Sequence, residues 1–422
     1  MRGLVFALIV LLAFACNGGG GGLRTVTPVP SPEATPSPTP AAEPTAAPQI
    51  AYVGADGAIW LADADGRVRK KFVEIDRCPD RAALVWSPAG DRLACVGGES
   101  DDRFLLGVGP RPLPNSVVVV DPEGRVLKEI ELVASFAWSP TGRHMAYTVL
   151  SGTEPSAVAT LLVADADAAE IAKFENVAIG GGPSVPDFAW SPDGREMAYV
   201  KEVGNKLAIY NLDEREERAV AGDYRPLAWV LEGRKMLVTA NYQPPREAPN
   251  TAFGECPLDC YEANLLDLAS GQLARVQELD DGRQHWLSPD GASAVFLSWR
   301  GLRLELTVLD FATLSSTPIE SSDTGYPSHS IPFGYVAFSP DSSLIYWNDP
   351  GSAGIYTART DGTGMTKLAS VAAVMVQFSP DLTKVAYLRA DDPSGLWIAN
   401  IDGSGAVQIG PAGITFAWRF TP

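Results

Sequence analysis

A stretch of about thirteen residues recurs along most of this chain and constrains its fold more than any other feature. Each copy has a short apolar run that usually ends in Trp or Phe, then a turn that usually reads Ser-Pro, then a second apolar run. The copies start at residues 84, 136, 188, 227, 285, 336 and 376, so neighbouring copies lie 39 to 58 residues apart. A period of this size indicates one small structural unit, repeated with insertions.

Each copy predicts four antiparallel strands. The first apolar run is strand A, and the Ser-Pro-Asp-Gly turn, complete at 191–194 and 288–291, leads into strand B. Proline fixes φ at the second turn position, and glycine permits a sharp exit from the turn. Strand C then ends in an Asp-bearing turn, and strand D completes the sheet. Such four-stranded units at this period predict an all-β fold, the β-propeller, in which each sheet is one blade.

The ends of the repeat region complement each other. Residues 50–53 read as a strand B with no strand A before it, and residues 415–418 read as a strand A with nothing after it. We therefore expect the C-terminal strand to complete the N-terminal blade, which would remove exposed sheet edges. Seven copies and this composite predict eight blades. Seven blades are the alternative, because the fourth copy has Val230 in place of the motif serine.

The motif resembles the TolB-type β-propeller repeat, a WD-repeat-like module of bacterial exported proteins and of prolyl-oligopeptidase-type enzymes. The resemblance covers about residues 50–420, and Ser-Pro-Asp-Gly directly follows an aromatic residue at 190–194. It implies a propeller fold and leaves the function open, because propellers host many functions. Five tryptophans share the strand A position and are predicted to pack between blades rather than to form a ligand cage: Trp86, Trp138, Trp190, Trp229 and Trp418.

The N-terminal region predicts export. Arg2 precedes an apolar run over 4–15, which is typical of a signal peptide at residues 1–15. The sequence Ala-Phe-Ala-Cys fits both a plain cleavage site and a bacterial lipobox, although Ala13 stands where a lipobox usually has Leu. The Gly-rich and Pro/Thr/Ser/Ala-rich segment that follows favours the lipobox. We therefore predict lipidation of Cys16, a disordered linker over 16–48, and one propeller domain over 49–422, anchored to the membrane on its extracytoplasmic side.

The remaining cysteines suggest disulfide bonds. If Cys16 carries lipid, four of the five cysteines are left, and an even number in an exported protein favours two disulfides. The local pairs are Cys78 with Cys95 and Cys256 with Cys260. Buried free thiols are the alternative.

Charge and motifs narrow the chemistry. The net charge of −18 argues against nucleic-acid binding, which needs a Lys/Arg excess, and favours basic partners or divalent cations. The three histidines, His144, His285 and His329, are dispersed, and no G-x-S-x-G motif occurs. These observations predict a non-catalytic protein without a metal or cofactor. The residues DADG at 63–66 leave a calcium loop as an alternative to a simple Asx turn at the end of strand C.

The long insertions predict where a partner binds. They fall at 97–115, 151–157 and 241–262 between strands B and C, and at 180–186 and 318–334 between strands D and A. Both kinds of connection lie on one face, which becomes the predicted binding face because function concentrates in long loops. The candidate anchors are Arg103, Phe104, Arg111, Tyr242, Arg246, Phe253, Trp299, Arg300, Tyr326 and Phe333.

Three functions fit the sequence. The first is a cell-surface lipoprotein whose non-catalytic propeller binds an unknown protein partner at the cell envelope. The second is an envelope sensor or carrier that binds a glycan or another small ligand in the channel between the blades. The third is a propeller hydrolase or lyase.

Overall fold

Antiparallel β-strands make up nearly all of the regular structure in the computed structural model. The structure describes residues 49–422 except 68, 75–82, 98–114, 152–157, 179–187, 203–205, 244–259, 283–284, 301–302, 323–335, 350–352, 390–391, 393–394 and 420–422. These residues belong to one compact unit, Ala46–Pro422. The predicted signal peptide and linker lie outside the described residues. No helix in the described part is long and apolar enough to cross a membrane.

The strands follow one another in sets that match the predicted order A to D. The first half of the chain has β1 (Gln49–Gly54), β2 (Ile59–Asp63), β3 (Arg69–Val73), β4 (Ala83–Trp86), β5 (Leu93–Gly97), β6 (Asn115–Val120), β7 (Val126–Trp138), β8 (His144–Ser151), β9 (Val158–Asp165), β10 (Glu170–Val177), β11 (Phe188–Trp190), β12 (Glu196–Lys201), β13 (Lys206–Asn211) and β14 (Glu216–Ala219).

The second half continues the same order and adds one short 3-10 helix, Gln277–Gly282. Its strands are β15 (Arg225–Val230), β16 (Lys235–Gln243), β17 (Cys260–Asp267), β18 (Leu273–Arg275), β19 (His285–Leu287), β20 (Ser293–Arg300), β21 (Arg303–Asp310), β22 (Ser315–Ser322), β23 (Val336–Phe338), β24 (Leu344–Asp349), β25 (Gly354–Arg359), β26 (Thr366–Ala369), β27 (Ala373–Phe378), β28 (Lys384–Arg389), β29 (Gly395–Asn400) and β30 (Val407–Arg419).

Strand pairing confirms an all-β fold built from four-stranded antiparallel sheets. The sets β15–β18, β19–β22 and β23–β26 each form a separate sheet of this kind. The fourth repeat copy, with Val230 in the serine position, therefore forms a full four-stranded sheet. Two long strands are shared between neighbouring sets. One is β7, which pairs with β6 and β8, and the other is β30, which pairs with β29 and β1.

A buried serine holds the turn between strands A and B. Ser191 Oγ accepts a hydrogen bond of 2.8 Å from the Glu196 N–H and donates one of 2.7 Å to Asp193. The same two bonds occur at Ser288, Ser339 and Ser379. The serine is needed because it satisfies a buried backbone donor at the point where the chain reverses.

Asp and Asn side chains close the turns between strands C and D. Asp121 Oδ1 accepts hydrogen bonds from the N–H groups of Glu123 (3.0 Å) and Arg125 (2.8 Å). Asp63 closes its own turn in the same way, because its Oδ1 accepts a hydrogen bond of 2.7 Å from Arg67 N. These bonds confirm the Asx-turn interpretation. In the set β11–β14 the capping residue is Asn211, the last residue of strand C, and not an aspartate.

The strand A tryptophans pack between neighbouring sheets, as predicted. Their exposed fractions are 3% for Trp86, 7% for Trp138, 9% for Trp190, 6% for Trp229 and 4% for Trp418. Three of them also donate a hydrogen bond of 3.1 Å to a carbonyl oxygen on the strand A of the preceding set: Trp138 to Val85, Trp229 to Ala189 and Trp418 to Gln377. The repeated tryptophan therefore links the sheets by hydrogen bonds as well as by apolar contact.

Candidate functional site

Most of the predicted binding face lies outside the described residues. Seven of its ten anchors fall there: Arg103, Phe104, Arg111, Arg246, Phe253, Tyr326 and Phe333. The other three are described only as backbone within strands. The expectation that Tyr242, Trp299 and Arg300 lie in loops is wrong, because strands β16 and β20 run on through them. Trp299 pairs with Leu304 and Arg300 with Arg303, so the ladder continues to the end of β20.

The cysteines are described only in part. Cys95 is 1% exposed in β5 and takes part in a disulfide bond. Cys78 and Cys256 lie outside the described residues, and Cys260 is the first residue of β17. The pairing of Cys78 with Cys95, and that of Cys256 with Cys260, stay predictions.

A cavity of about 720 Å³ lies where several strands A reach their Ser-Pro turns. We call it the apolar cavity. Its walls come from β4, β23, β27 and β30 and from four turn prolines, and none of its lining residues is charged. The lining residues are Leu84, Val85, Trp86, Pro88, Pro289, Val336, Ala337, Phe338, Pro340, Gln377, Phe378, Ser379, Pro380, Leu382, Ala417 and Trp418.

The apolar cavity is formed by equivalent residues of the repeat. Trp86, Phe338, Phe378 and Trp418 all occupy the last or nearly the last position of a strand A. Repetition of one position in adjacent sheets brings these four aromatic side chains together. This is the A–B turn end of the strands, opposite to the end that carries the predicted binding face.

Trp86 differs from the other tryptophans of the cavity region. Its indole Nε1 is buried and has no hydrogen-bond partner within the described part of the chain. The guanidinium of Arg419 lies 4.9 Å from the centre of the Trp86 ring. Arg419 is held there because its Nε donates to the carbonyl oxygen of Gly90 (2.6 Å) and its Nη1 donates to Gln49 Oε1 (2.9 Å). Burial lowers the pKa of Arg419 below its ordinary value, although Asp91 opposes this effect.

A second cavity, of about 510 Å³, adjoins the first, and Pro289 lines both. We call it the acidic cavity, because four of its lining residues carry carboxylates. The lining residues are Ser191, Pro192, Asp193, Glu196, Trp229, Glu232, Gly233, Pro289 and Asp290. None of them is Lys or Arg. This cavity also belongs to the A–B turns, since its residues come from the third, fourth and fifth repeat copies.

The turn geometry keeps two of these carboxylates ionised. Partial burial raises the pKa of Asp193, but hydrogen bonds from Ser191 Oγ and Arg195 N outweigh it and bring the pKa below its ordinary value. The same balance lowers the pKa of Asp290, where Ser288 Oγ and Ala292 N are the main donors. Both side chains therefore carry a negative charge at neutral pH.

The histidines are not grouped into a site in the described part of the chain. The ring of His144 stacks on Trp190, with 6.2 Å between centroids and 17° between planes. His285 is the first residue of β19, and His329 lies outside the described residues. Among the described residues, no group of three His, Cys, Asp or Glu side chains is placed to hold a metal ion.

Sequence reasoning missed the two cavities. It took the tryptophan period as a sign of packing alone, whereas Trp86 and Trp418 both pack between sheets and line the apolar cavity. One sequence signal pointed to the cavities. It is the combination of an aromatic residue at the end of strand A with the proline of the following turn, because both recur at the same end of the strands. That combination does not say which copies face a cavity.

Several solved structures are similar to this chain. The chain is similar to a eukaryotic initiation factor (TM-score 0.52, 14% identity, 89% of this chain and 99% of that chain). It is also similar to the β-propeller domain of the Trilobed protease from Pyrococcus furiosus (TM-score 0.43, 17% identity, 78% and 97%). A third match is TolB from Acinetobacter baumannii (TM-score 0.34, 18% identity, 74% and 81%).

The fold is a WD-repeat-like β-propeller. The repeated four-stranded sheets agree with the fold that the TolB-type resemblance implies, and the matches above are likenesses of fold. At 14 to 18% identity they show the fold alone. No protein-family model matches the chain. No curated protein matches it either.

The prediction that this chain is not an enzyme is wrong as an inference from its sequence. Similar structures include the β-propeller domain of the Trilobed protease from Pyrococcus furiosus and an oligogalacturonate lyase solved with manganese, the latter at 12% identity. The missing local signature therefore does not separate a catalytic propeller from any other. Identities this low show that the fold serves enzymes, and they assign no activity to this chain.

Proposed function

We propose that this propeller binds a protein partner at the cell envelope and that an apolar side chain of the partner enters the apolar cavity. The observation that carries the proposal is the meeting of Trp86, Phe338, Phe378 and Trp418 around one uncharged cavity of about 720 Å³. Aromatic residues around a desolvated pocket are the usual location of the strongest contacts in a protein interface. The location at the envelope rests on the predicted signal peptide and Cys16.

The proposal includes an eight-bladed ring closed by β30. Its C-terminal part pairs with β1 from Gln49↔Arg419 to Gly54↔Ala412, and its N-terminal part pairs with β29. One strand would thus serve as strand D of the last blade and strand A of the first. The full four-stranded sheet of the fourth copy supports the count of eight rather than seven.

The long loops at the opposite end stay a proposed second contact surface. Their candidate anchors, such as Arg103 and Phe253, come from the sequence alone. A partner that used both ends would have to wrap around the domain, so we propose that the cavity end is the primary site.

The same cavity supports a second candidate function, the binding of an envelope glycan or another small ligand. Its volume lies within the range of about 300–1,000 Å³ that is typical of small-molecule sites. Aromatic walls such as Phe378 also suit the apolar face of a sugar ring. This candidate predicts binding that needs no partner protein.

Affinity capture from an envelope extract tests the main proposal. The baits are the wild-type chain, the double variant F338A/F378A and the control F136A. Phe136 is also half-buried in a strand A but does not line the cavity. We expect a protein that the wild type and F136A capture and the double variant loses. Retention of every captured protein by the double variant, with its fold intact by circular dichroism, would contradict the cavity as the site.

A further inference from the structure

Two adjoining cavities at one end of the propeller differ in the charge of their lining residues, and we call them the apolar half and the acidic half of the site. Pro289 lines both, so a single bound molecule can contact the two at once. One half has no charged side chain among its lining residues, and the other has Asp193, Glu196, Glu232 and Asp290 without a lining Lys or Arg. This polarity selects a ligand that has an apolar group next to a positive charge.

The four carboxylates of the acidic cavity are not equally available to a ligand. Arg218 Nη2 donates to Glu196 at 3.1 Å, so Glu196 already has a cationic partner. Asp193 and Asp290 use Oδ1 to hold their own turns, and both side chains are exposed. Their charge faces solvent beside the shared proline.

The fourth repeat copy supplies the carboxylate with the most freedom. Glu232 stands at the motif position of Asp193 and Asp290, but the preceding motif serine is Val230. A valine has no hydroxyl, so Glu232 cannot make the bond to serine that fixes the other two. Its side chain is exposed at the wall of the acidic cavity. Because the fourth copy departs from the repeat pattern, the wall of the acidic cavity has a carboxylate that no motif serine holds in place.

Trp86 gives the apolar half a wide aromatic wall. The residue is 3% exposed, lines the apolar cavity, and has no partner for Nε1 in the described part of the chain. The equivalent indoles of Trp138 and Trp418 donate to backbone carbonyl oxygens, whereas that of Trp190, like that of Trp86, has no partner in the described part of the chain. Because Nε1 itself is buried, Trp86 contributes the apolar part of its ring to the cavity.

We infer that the ligand of this site is an extended peptide segment. An aromatic or aliphatic residue of the peptide fills the apolar cavity, and a Lys or Arg a few residues away reaches Glu232 and Asp290. The inference rests on the proposed function and names its partner class. A neutral glycan would leave the carboxylates without a cation, and a nucleic acid would be repelled by them.

Fluorescence anisotropy with synthetic peptides and the purified full chain tests the inference. The probes are labelled peptides of one length with one Phe and one Lys, and matched peptides with Glu for Lys or Ala for Phe. We expect the Phe/Lys peptide to bind about tenfold more tightly than the Phe/Glu peptide. The difference should shrink at about 1 M salt, where the screening length falls to about 3 Å. Loss of Phe should abolish binding.

Three variants assign the contacts. Glu232→Gln should weaken binding of the Phe/Lys peptide about two- to fivefold and should not weaken binding of the Phe/Glu peptide. The control is Glu216→Gln, at an exposed position of β14, which should change the binding of neither peptide. Trp86→Phe removes part of the ring that lines the apolar cavity, so it should weaken both peptides about two- to tenfold without changing the preference for Lys. Equal binding of Lys and Glu peptides would overturn the inference and leave the proposed function standing. Failure of every peptide to bind would overturn the peptide as ligand, and capture that depends on Phe338 and Phe378 would still support the proposed function.

Discussion

Trp418 and Gln377 join two neighbouring strands A by a reciprocal pair of hydrogen bonds. The Trp418 indole donates to the Gln377 carbonyl oxygen (3.1 Å), and the Gln377 side-chain amide donates to the carbonyl oxygen of Phe416 (2.9 Å). Trp418 lies in β30, which pairs with β1 at the N-terminal end of the domain. These bonds therefore help to fix the C-terminal strand between the last sheet and the first.

Trp418→Phe should lower the free energy of unfolding by about 1 kcal/mol, since it removes one net hydrogen bond and keeps most of the apolar ring. Trp86→Phe is the matched control, because Trp86 occupies the same repeat position and its Nε1 has no partner in the described residues. Urea denaturation followed by circular dichroism measures both variants. If Trp86→Phe lowers the free energy of unfolding as much as Trp418→Phe does, the hydrogen bond of the Trp418 indole does not stabilise the fold.

Gly142 illustrates how the A–B turns set the distance between sheets. Its φ is +70°, and a Cβ at this position would lie 2.6 Å from the backbone nitrogen of Ala89 in the preceding turn. Gly57 has a φ of +73° with nothing within 4 Å of its Cβ position. Gly57→Ala should therefore cost only the left-handed backbone, about 1–2 kcal/mol. Gly142→Ala should cost clearly more, and equal melting temperatures for the two variants would contradict this packing.

The sequence predicted the elements of the fold because their causes are local. The hydroxyl of Ser191 and the carboxylate of Asp193 act within one turn, so Ser-Pro-Asp-Gly marks each A–B hairpin wherever it occurs. The predicted ends of the strands were less accurate than the predicted turns. Trp299 is one of the predicted anchors of the loop face, but it lies in β20 because its partner strand continues opposite it.

The site depended on packing that no single copy encodes. Phe378 and Trp190 end their strands A at the same motif position, yet only Phe378 lines the apolar cavity. Which copies surround a cavity is decided by the tilt and spacing of whole sheets. Likewise, Glu232 could be recognised as a departure from the motif, but its position beside Asp290 required the fold.

Asp341 predicts an acid-sensitive turn. Hydrogen bonds from Ser339 Oγ, Ser343 Oγ and Ser343 N lower the pKa of Asp341 from 3.8 to about 2. Because the pKa in the folded state is depressed, the stabilisation is present above the unfolded value of 3.8 and is lost as the pH falls towards about 2. Asp341→Asn should reduce the fall in melting temperature over this interval.

The exposed β14 residue Glu216 provides the control for that measurement. Glu216→Gln should keep the wild-type pH profile of the melting temperature. A profile for Asp341→Asn that coincides with the wild type between pH 3.8 and about 2 would show that the carboxylate does not stabilise the turn in its ionised form.

Cys16→Ser tests the predicted lipid anchor. If the Cys16 thiol carries the lipid, the variant has no acyl chains to insert into the membrane, and the protein should move from the membrane fraction to the soluble exported fraction. Fractionation followed by immunoblotting measures the shift. Continued retention in the membrane fraction would refute the anchor.

Thiol counting tests the predicted disulfides. With Cys16 lipidated, the pairs Cys78–Cys95 and Cys256–Cys260 leave no free thiol in the denatured, unreduced protein. Cys95→Ser should expose one new thiol, that of Cys78, and should destabilise the domain by about 2–4 kcal/mol. Cys260→Ser should expose the thiol of Cys256 in the same way. Four free thiols in the wild-type protein would contradict both pairs, and a new thiol elsewhere than Cys78 in Cys95→Ser would contradict that pairing alone.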